Sequence, residues 1–277
     1  MRFFKYESIG NDFVLLETPD AESQNLSDLT KTLCDRHFGV GSDGLLVVDP
    51  SANPVTMRMF NPDGTEDFCG NGLRCAALHM KLEHKATESL TLLHGGQLIP
   101  IQFAFGDWID VTLPPASFDP EQVPLAPGVG EVFDRSLVVD GHSLAVSSLT
   151  TGSTHTVIFR ESPVTDEEFR SVSPKLELHD WFPNRTSVIW VWQTGAKALS
   201  IRIWERGVGE TLGCGTGSAA VAACWFRKHS SALAVEIRNP GGETVASKGL
   251  RGSIIVSARA RLVYKGVLTA SLAMATS

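Results

Sequence analysis

Cys69-Gly70-Asn71-Gly72-Leu73-Arg74-Cys75-Ala76-Ala77 and Cys214-Gly215-Thr216-Gly217-Ser218-Ala219-Ala220 are two versions of one phrase. Each is a cysteine, then Gly-x-Gly, then a helix-forming run. Each follows a polar loop that carries acids: Asn61-Pro62-Asp63-Gly64-Thr65-Glu66 before the first, Glu205-Arg206-Gly207-Val208-Gly209-Glu210-Thr211 before the second. The two phrases fall in corresponding halves of the chain, and the strand patterns around them run in the same order. We read the chain as an internal duplication, each half a helix set among strands, an α+β architecture.

Working outward from the first phrase, 13–16, 44–48 and 55–60 are apolar, β-branched runs that read as strands. Ser27 is an expected N-cap for a helix through Leu29, Leu33 and Cys34. The helix opened by Gly70 is expected to reach 81–83, with strands at 89–93, 98–105 and 108–113. Pro114-Pro115, Pro120, Pro124 and Pro127 then interrupt both strand and helix patterns and mark an expected interdomain linker. Beyond it, strands are expected over 136–149, 155–160, 187–193 and 198–204. Helices are expected over 166–172, between Pro163 and Pro174, and over 215–228, with three or four short strands after that. The expected domains are 1–115 and 116–263, with the last segment, about 264–277, returning to the first.

Composition narrows the function. At 277 residues the chain holds one large domain or two of ordinary size. A net charge of −7 leaves no basic footprint for nucleic acid. The first residues, Met1 to Glu7, are too interrupted by charge to read as a signal peptide, and no apolar run approaches the ~20 residues of a membrane span. A cytoplasmic protein without a membrane partner is expected. The five cysteines, Cys34, Cys69, Cys75, Cys214 and Cys224, include no Cys-x-x-Cys pair, which speaks against a disulfide framework and against a zinc site. Cys34, Cys75 and Cys224 read as core residues.

Cys69 and Cys214 stand elsewhere. A cysteine at a helix N-terminus faces unpaired N–H groups and the positive end of the dipole, which favour the thiolate. The N–H groups of Gly70, Asn71, Gly215 and Thr216 suit a carboxylate. If one carboxylate bridges two such helix starts, the carbon next to it lies between the two sulfurs. One sulfur, as thiolate, removes the α-proton from one face; the other, as thiol, delivers a proton to the opposite face, and the configuration inverts. That chemistry needs neither a cofactor such as pyridoxal phosphate nor a metal. A lone cysteine before Gly-x-Gly is usually only a turn into a helix; it is the second matching copy that favours catalysis.

At these residues the chain resembles the diaminopimelate epimerase family, over almost its whole length. The motifs are Gly10-Asn11-Asp12-Phe13-Val14, the run from Asp35 to Gly44, Asn61 to Glu66 leading into Cys69-Gly70-Asn71-Gly72, and Glu205 to Thr211 leading into Cys214-Gly215-Thr216-Gly217. The resemblance implies two pseudo-symmetric domains, each a curled mixed or antiparallel sheet around a central helix. It also implies a site in the cleft between them, no cofactor and a homodimer. It carries over Cys69 and Cys214 as acid and base, and Gly70, Asn71, Gly215 and Thr216 as the carboxylate cradle. Asn11 and Asn61 become substrate contacts, and Glu205 and Arg206 the charged pair that reads amino and carboxylate groups.

Two departures bear on the substrate. Where the family has Gly-Asn-Pro-His, this chain has Gly152-Ser153-Thr154-His155; where it has Thr-Asn-Val, this chain has Thr186-Ser187-Val188. The loop from Asn61 to Cys69 also looks one residue short. The absent asparagines help hold the distal end of diaminopimelate, so Ser153 and Ser187 are the positions where specificity would move. Conversion of LL- to meso-diaminopimelate is the first expectation. A racemase for another amino acid, histidine for example, is the second. A non-inverting isomerase or lyase on the same fold, or a protein that only binds an amino acid, are the remaining readings; neither has a use for two matched thiols.

Other residues are read more modestly. His155 is either a neighbour of the site or a hydrogen-bonded structural histidine. Asp63 and Glu66 are expected to shape the loop before Cys69 rather than move protons. Trp190, Trp192 and Trp204 read as core or interface residues, and Tyr264 as a core or dimer contact.

Overall fold

The structure is a computed structural model, in which residues 1–21 and 24–269 are described. In chain order the strands and helices are β1 (Arg2–Ser8), β2 (Asn11–Glu17), α1 (Thr18–Ala21), α2 (Leu26–Cys34), β3 (Gly44–Asp49), β4 (Val55–Phe60), α3 (Gly70–His84), β5 (Ser89–His94), β6 (Gln97–Phe103) and β7 (Trp108–Leu113). They continue with β8 (Arg135–Val139), β9 (His142–Thr150), β10 (Thr154–Arg160), α4 (Asp166–Glu177), β11 (Ser187–Gly195), β12 (Ala198–Glu205) and β13 (Gly209–Thr211). After these come α5 (Gly215–Lys228), β14 (Ala234–Asn239), β15 (Gly242–Lys248), β16 (Ile254–Arg259) and β17 (Arg261–Val267).

The chain divides into two compact units, Met1–Val111 with Ser257–Ser277, and Thr112–Val256. In the first unit β1 pairs antiparallel with both β17 and β2. From β2 on, the pairings alternate: β2–β3 parallel, β3–β4 antiparallel, β4–β5 parallel, β5–β6 antiparallel. The second unit repeats the order: β9 antiparallel with β8 and β10, then β10–β11 parallel, β11–β12 antiparallel, β12–β14 parallel, β14–β15 antiparallel. A parallel pair needs a crossover. In each unit one crossover is an amphipathic helix (α2 or α4) and the other is the helix opened by Cys-Gly-x-Gly (α3 or α5). The α+β duplication read from the sequence is therefore the architecture of the molecule.

The two crossover helices have different jobs. Helix α3 packs against β1, β2, β3, β4, β5 and β17, and α5 against β9, β10, β11, β14 and β15, so each sheet curls around one helix. An encircled helix is buried on every side, and Gly70 to Ala77 and Gly215 to Ala222 are buried without a break. Helices α2 and α4 cover the opposite face. Leu45 and Val47 of β3 join Leu29 and Leu33 of α2 in one core, and Val188 and Trp190 of β11 join Phe169, Val172 and Leu176 of α4 in another. With both faces covered, these strands are continuous apolar runs rather than alternating ones.

Two expectations need correcting. Asn25, not Ser27, caps α2; its Oδ1 accepts from the Ser27 and Asp28 N–H groups. Pro174 lies inside α4, in its last turns, where the missing N–H removes a single ladder bond. The charged first residues, taken only as evidence against a signal peptide, form β1. The unit boundary, at Val111/Thr112, falls at the start of the proline-rich stretch, and the stretch is packed rather than solvated: Val123 and Val132 are buried and Leu125 and Val129 pack on the α4 core. The segment expected to return to the first domain reaches the end of the described residues as β17; 270–277 lie outside them.

Candidate active site

Cys69 and Cys214 are both N-caps. Cys69 has φ −135° and ψ 110°, Cys214 φ −135° and ψ 119°. In each case the sulfur accepts the N–H three residues on, Gly72 to Cys69 Sγ and Gly217 to Cys214 Sγ, both at 3.3 Å. The second glycine of each phrase is required by packing. A Cβ on Gly72 would lie 2.8 Å from Leu46 Cδ2 and 3.6 Å from Cys69 Sγ; on Gly217 it would lie 3.0 Å from Ile189 Cδ1 and 3.4 Å from Cys214 Sγ. Leu46 and Ile189 occupy equivalent places on β3 and β11. A side chain at either glycine would press on the strand residue and come into contact with the sulfur.

In the first unit Asn71, two residues after the cysteine, belongs to a charged and amide network. Asn71 donates to Asn11 Oδ1 at 3.3 Å, and Asn11 donates to Asp43 at 2.9 Å. Arg74, fully buried one turn into α3, donates to Asn71 Oδ1 at 2.8 Å and to the Gly70 carbonyl at 3.3 Å. Arg36 bridges Asp12 and Asp43 at 2.7 Å each, and Lys5 also pairs with Asp12. Burial opposes ionisation of Asp12, but the hydrogen bonds from Arg36 and Lys5 outweigh it and hold the carboxyl below its ordinary range. The Cys69 N–H donates to His94 Nε2 at 3.1 Å, and His94 Nδ1 contacts the Met57 carbonyl at 3.0 Å, so His94 is a neutral Nδ1–H ring; burial lowers its pKa accordingly.

Asn61 belongs to its own loop, donating to Thr65 Oγ1 at 3.2 Å. Asp63 Oδ1 accepts from the Thr65 N–H and hydroxyl at 2.9 and 2.6 Å, and Glu66 takes a two-pronged bond from Arg58 at 3.0 and 2.8 Å. Both acids shape the loop.

In the second unit the cysteine begins a line of hydroxyls. Cys214 Sγ lies 3.3 Å from Thr216 Oγ1, which lies 3.3 Å from Ser153 Oγ, which lies 3.0 Å from His155 Nε2. His155 is buried and its Nδ1 has no hydrogen-bond partner. Burial, with a smaller push from the Arg206 charge, lowers its pKa to about 3, so the ring is neutral at physiological pH. Ser187 Oγ accepts the Arg206 N–H at 3.1 Å, and Glu205 accepts from Thr211 at 2.5 Å. Arg206 also donates to the Asn184 carbonyl at 3.3 Å. Beneath this turn Glu177, 6% exposed, accepts from the Gly207 N–H at 2.8 Å and from Trp204 Nε1 at 2.7 Å.

Sequence reasoning missed Arg74, His94 and Glu177, each of which positions a candidate side chain or its turn. Arg74 had a signal, a charged residue inside the Cys-Gly-x-Gly helix phrase; the other two had none. The remaining cysteines are buried. Desolvation pushes the Cys34 thiol up to about 11 and raises Cys75 and Cys224 as well, as befits unreactive core thiols. Trp190 is fully buried and donates to Ser173 at 2.9 Å. Among the described residues no helix is long and apolar enough to cross a membrane.

Comparison with known proteins fits this geometry. The profile of the diaminopimelate epimerase family matches residues 3–112 and 147–257. The diaminopimelate epimerase of Caldanaerobacter subterraneus subsp. tengcongensis is 33% identical over 274 residues, covering 96% of this chain and 98% of that protein. That of Desulforudis audaxviator is 36% identical over 253 residues, covering 87% and 89%. Among solved structures, a hydroxyproline epimerase from Agrobacterium vitis superposes with a TM-score of 0.70 at 11% identity, over 96% of this chain and 90% of that one. A PhzF-family phenazine biosynthesis protein from Bacillus anthracis gives 0.66 at 18%, over 97% and 99%. These distant structures share the fold. The sequence relatives go further and make the protein an isomerase, an epimerase by type. With most of both halves matched, the chain belongs to the diaminopimelate epimerase family.

Proposed function

We propose that this protein inverts the α-carbon of an amino acid by proton transfer through two cysteines, Cys69 and Cys214, and that its substrate is LL-diaminopimelate, converted to the meso form. The observation that carries the reading is the matched pair of capping cysteines. Each sulfur sits at the start of a buried helix and accepts an N–H bond from it. An N–H donor and the positive end of a helix dipole stabilise negative charge on sulfur. The first-turn N–H groups of Gly70, Asn71, Gly215 and Thr216 bind the α-carboxylate and take up charge that develops on it as the α-proton leaves. Inversion requires one sulfur on each face of the α-carbon: a thiolate that accepts the proton and a thiol that donates another. Afterwards the two have exchanged protonation states, so the enzyme is set for the opposite isomer, and no external oxidant, metal or cofactor enters the balance.

Asn11, Asn61, Glu205 and Arg206 recognise the polar ends of the substrate in this reading. Support for diaminopimelate comes from the sequence relatives that carry its name. Ser153 and Ser187 favour a second reading, a racemase for another amino acid. Ser153 is engaged with His155 and Thr216, and Ser187 with the Arg206 backbone, so neither presents the amide expected for the distal end. A homodimer, a cytoplasmic setting and a place in lysine synthesis accompany the first reading through the family.

Proton NMR of the reduced protein in D₂O, with LL-diaminopimelate beside a panel of single L-amino acids including histidine, separates these readings. Loss of the α-proton signal from diaminopimelate with appearance of the meso isomer is the expected result. Exchange confined to another amino acid would keep the two-thiol chemistry and change the substrate. Binding without exchange would remove the enzyme reading altogether.

A further inference from the structure

At the far end of α3 from Cys69, Glu17, His79 and His84 converge. Glu17 Oε1 lies 2.9 Å from His79 Nε2 and 2.9 Å from His84 Nε2, and the three ligand atoms lie within 4.8 Å of one another. Glu17 ends β2, and both histidines lie in the last two turns of α3. We propose that this cluster is a divalent transition-metal site, of zinc type, formed by Glu17 Oε1, His79 Nε2 and His84 Nε2 with one position open to solvent.

Several features support a cation there. Two imidazoles and a carboxylate are a donor set suited to zinc, whose Zn–N bonds of 2.0–2.1 Å place tetrahedral ligands about 3.3 Å apart. The two Glu17–histidine contacts, at 2.9 Å, lie within about half an ångström of that value, and the two imidazole nitrogens lie within 4.8 Å of each other. A helix C-terminus carries partial negative charge, and the site sits on one. His84 is 32% exposed at its side chain while His79 is fully buried, which leaves an entry path and a place for water on the His84 side.

The surrounding shell is also present. His79 Nδ1 lies 3.2 Å from the Tyr6 hydroxyl, and Tyr6 is fully buried. A hydroxyl can donate or accept. Without metal, His79 Nε2–H donates to Glu17 and Tyr6 donates to Nδ1. With metal, the ring takes the Nδ1–H tautomer, donates to the Tyr6 oxygen and offers the Nε2 lone pair. The sequence, read through its cysteines, speaks against a zinc site; this one uses nitrogen and oxygen instead, and would tie the end of β2 to the end of the central helix.

Calorimetric titration of Zn²⁺ into the Cys69→Ala/Cys214→Ala protein removes the competing thiols. One equivalent of binding is expected, weakened more than about 10-fold by His84→Ala, a half-exposed change that leaves the core intact. Tyr6→Phe keeps the buried ring and should weaken binding about 10-fold through loss of the orienting hydroxyl. The wild-type protein should show the same site in addition to any thiol-bound zinc. Absence of Zn²⁺ binding, or binding indifferent to both His84→Ala and Glu17→Gln, would overturn the assignment.

Discussion

The two cysteine junctions share a backbone and differ in what surrounds it. Cys69 and Cys214 have the same φ, nearly the same ψ and the same 3.3 Å N–H to sulfur contact. Cys69 is half-buried and is followed two residues on by an amide bonded to Asn11 and to a buried guanidinium; Cys214 is buried beside a row of hydroxyls. The middle residue of Gly-x-Gly makes the difference, because Asn71 reaches away to Asn11 and Arg74 whereas Thr216 turns its hydroxyl to the sulfur. The capping is a property of the phrase, and the polar environment is a property of one residue in it. In the proposed mechanism the two thiols alternate between acid and base, and that role does not require identical neighbours.

Removing either sulfur tests whether the two are equivalent in necessity. Cys69→Ala and Cys214→Ala should each lower kcat by about 10²–10⁴-fold, the usual contribution of a positioned proton-transfer group. Epimerisation followed by NMR, with circular dichroism to verify the fold, is the measurement. Full turnover in one variant would make the comparison one of a catalytic cysteine with a structural one.

The residues that distinguish the junctions come next, and they should fail in different ways. Thr216→Val keeps the shape and removes the hydroxyl 3.3 Å from Cys214 Sγ. A hydrogen bond to a charged group contributes about 1.5–3 kcal/mol, so kcat should fall roughly 10- to 100-fold with little change in the unfolding midpoint. Asn71→Ala takes an acceptor from the buried Arg74 guanidinium, so the expected loss is first of stability, about 3 kcal/mol in urea unfolding. Equal stability losses in the two variants would erase the distinction.

Acid sharpens the contrast through His155. Its folded value near 3 lies below the ordinary 6.5, so between those values the unfolded chain holds a proton that the folded chain refuses. The associated stability is complete above about pH 6.5 and is lost as pH falls towards 3, with a slope of up to ~1.4 kcal/mol per pH unit. His79 and His94 of the first unit are depressed by burial too and add slopes of the same sign. Denaturation series at stepped pH should therefore flatten, but not become level, in His155→Gln. An unchanged slope would locate the acid sensitivity elsewhere.

The smallest effect is expected at Glu66. Its bond to Arg58 is partly exposed, and such pairs contribute roughly 0–1 kcal/mol. Glu66→Gln should leave kcat within about twofold and cost less than ~1 kcal/mol. A large kcat loss would move this acid from loop-shaping into proton transfer.

How much of this was legible in the sequence follows from the range of the interactions. Capping closes over three residues, so Cys-Gly-x-Gly announced both helix starts, and α5 runs from Gly215 to Lys228 as its pattern implied. Doubly covered strands bury every side chain, and the runs at 13–16 and 44–48 showed it. Local reasoning misplaced the cap of α2, where Asn25 and Ser27 both fit the pattern and only the path of the chain chooses between them. It read the proline-rich stretch as an interdomain linker because proline blocks pairing, and could not tell that Val123 and Val132 within it are buried.

The sequence by itself determined the duplication, the two capping cysteines and the family, since repeats, caps and motifs are written in adjacent residues. The tertiary structure decided the partners. Arg74 under Asn71, Glu177 under the Arg206 turn, His94 on the Cys69 N–H and Glu17 between two histidines join positions 3 to 67 residues apart. Which buried polar groups meet depends on how strands pair and which side of a helix the sheet wraps. A buried donor must find an acceptor wherever the fold brings one, and only the fold says where that is.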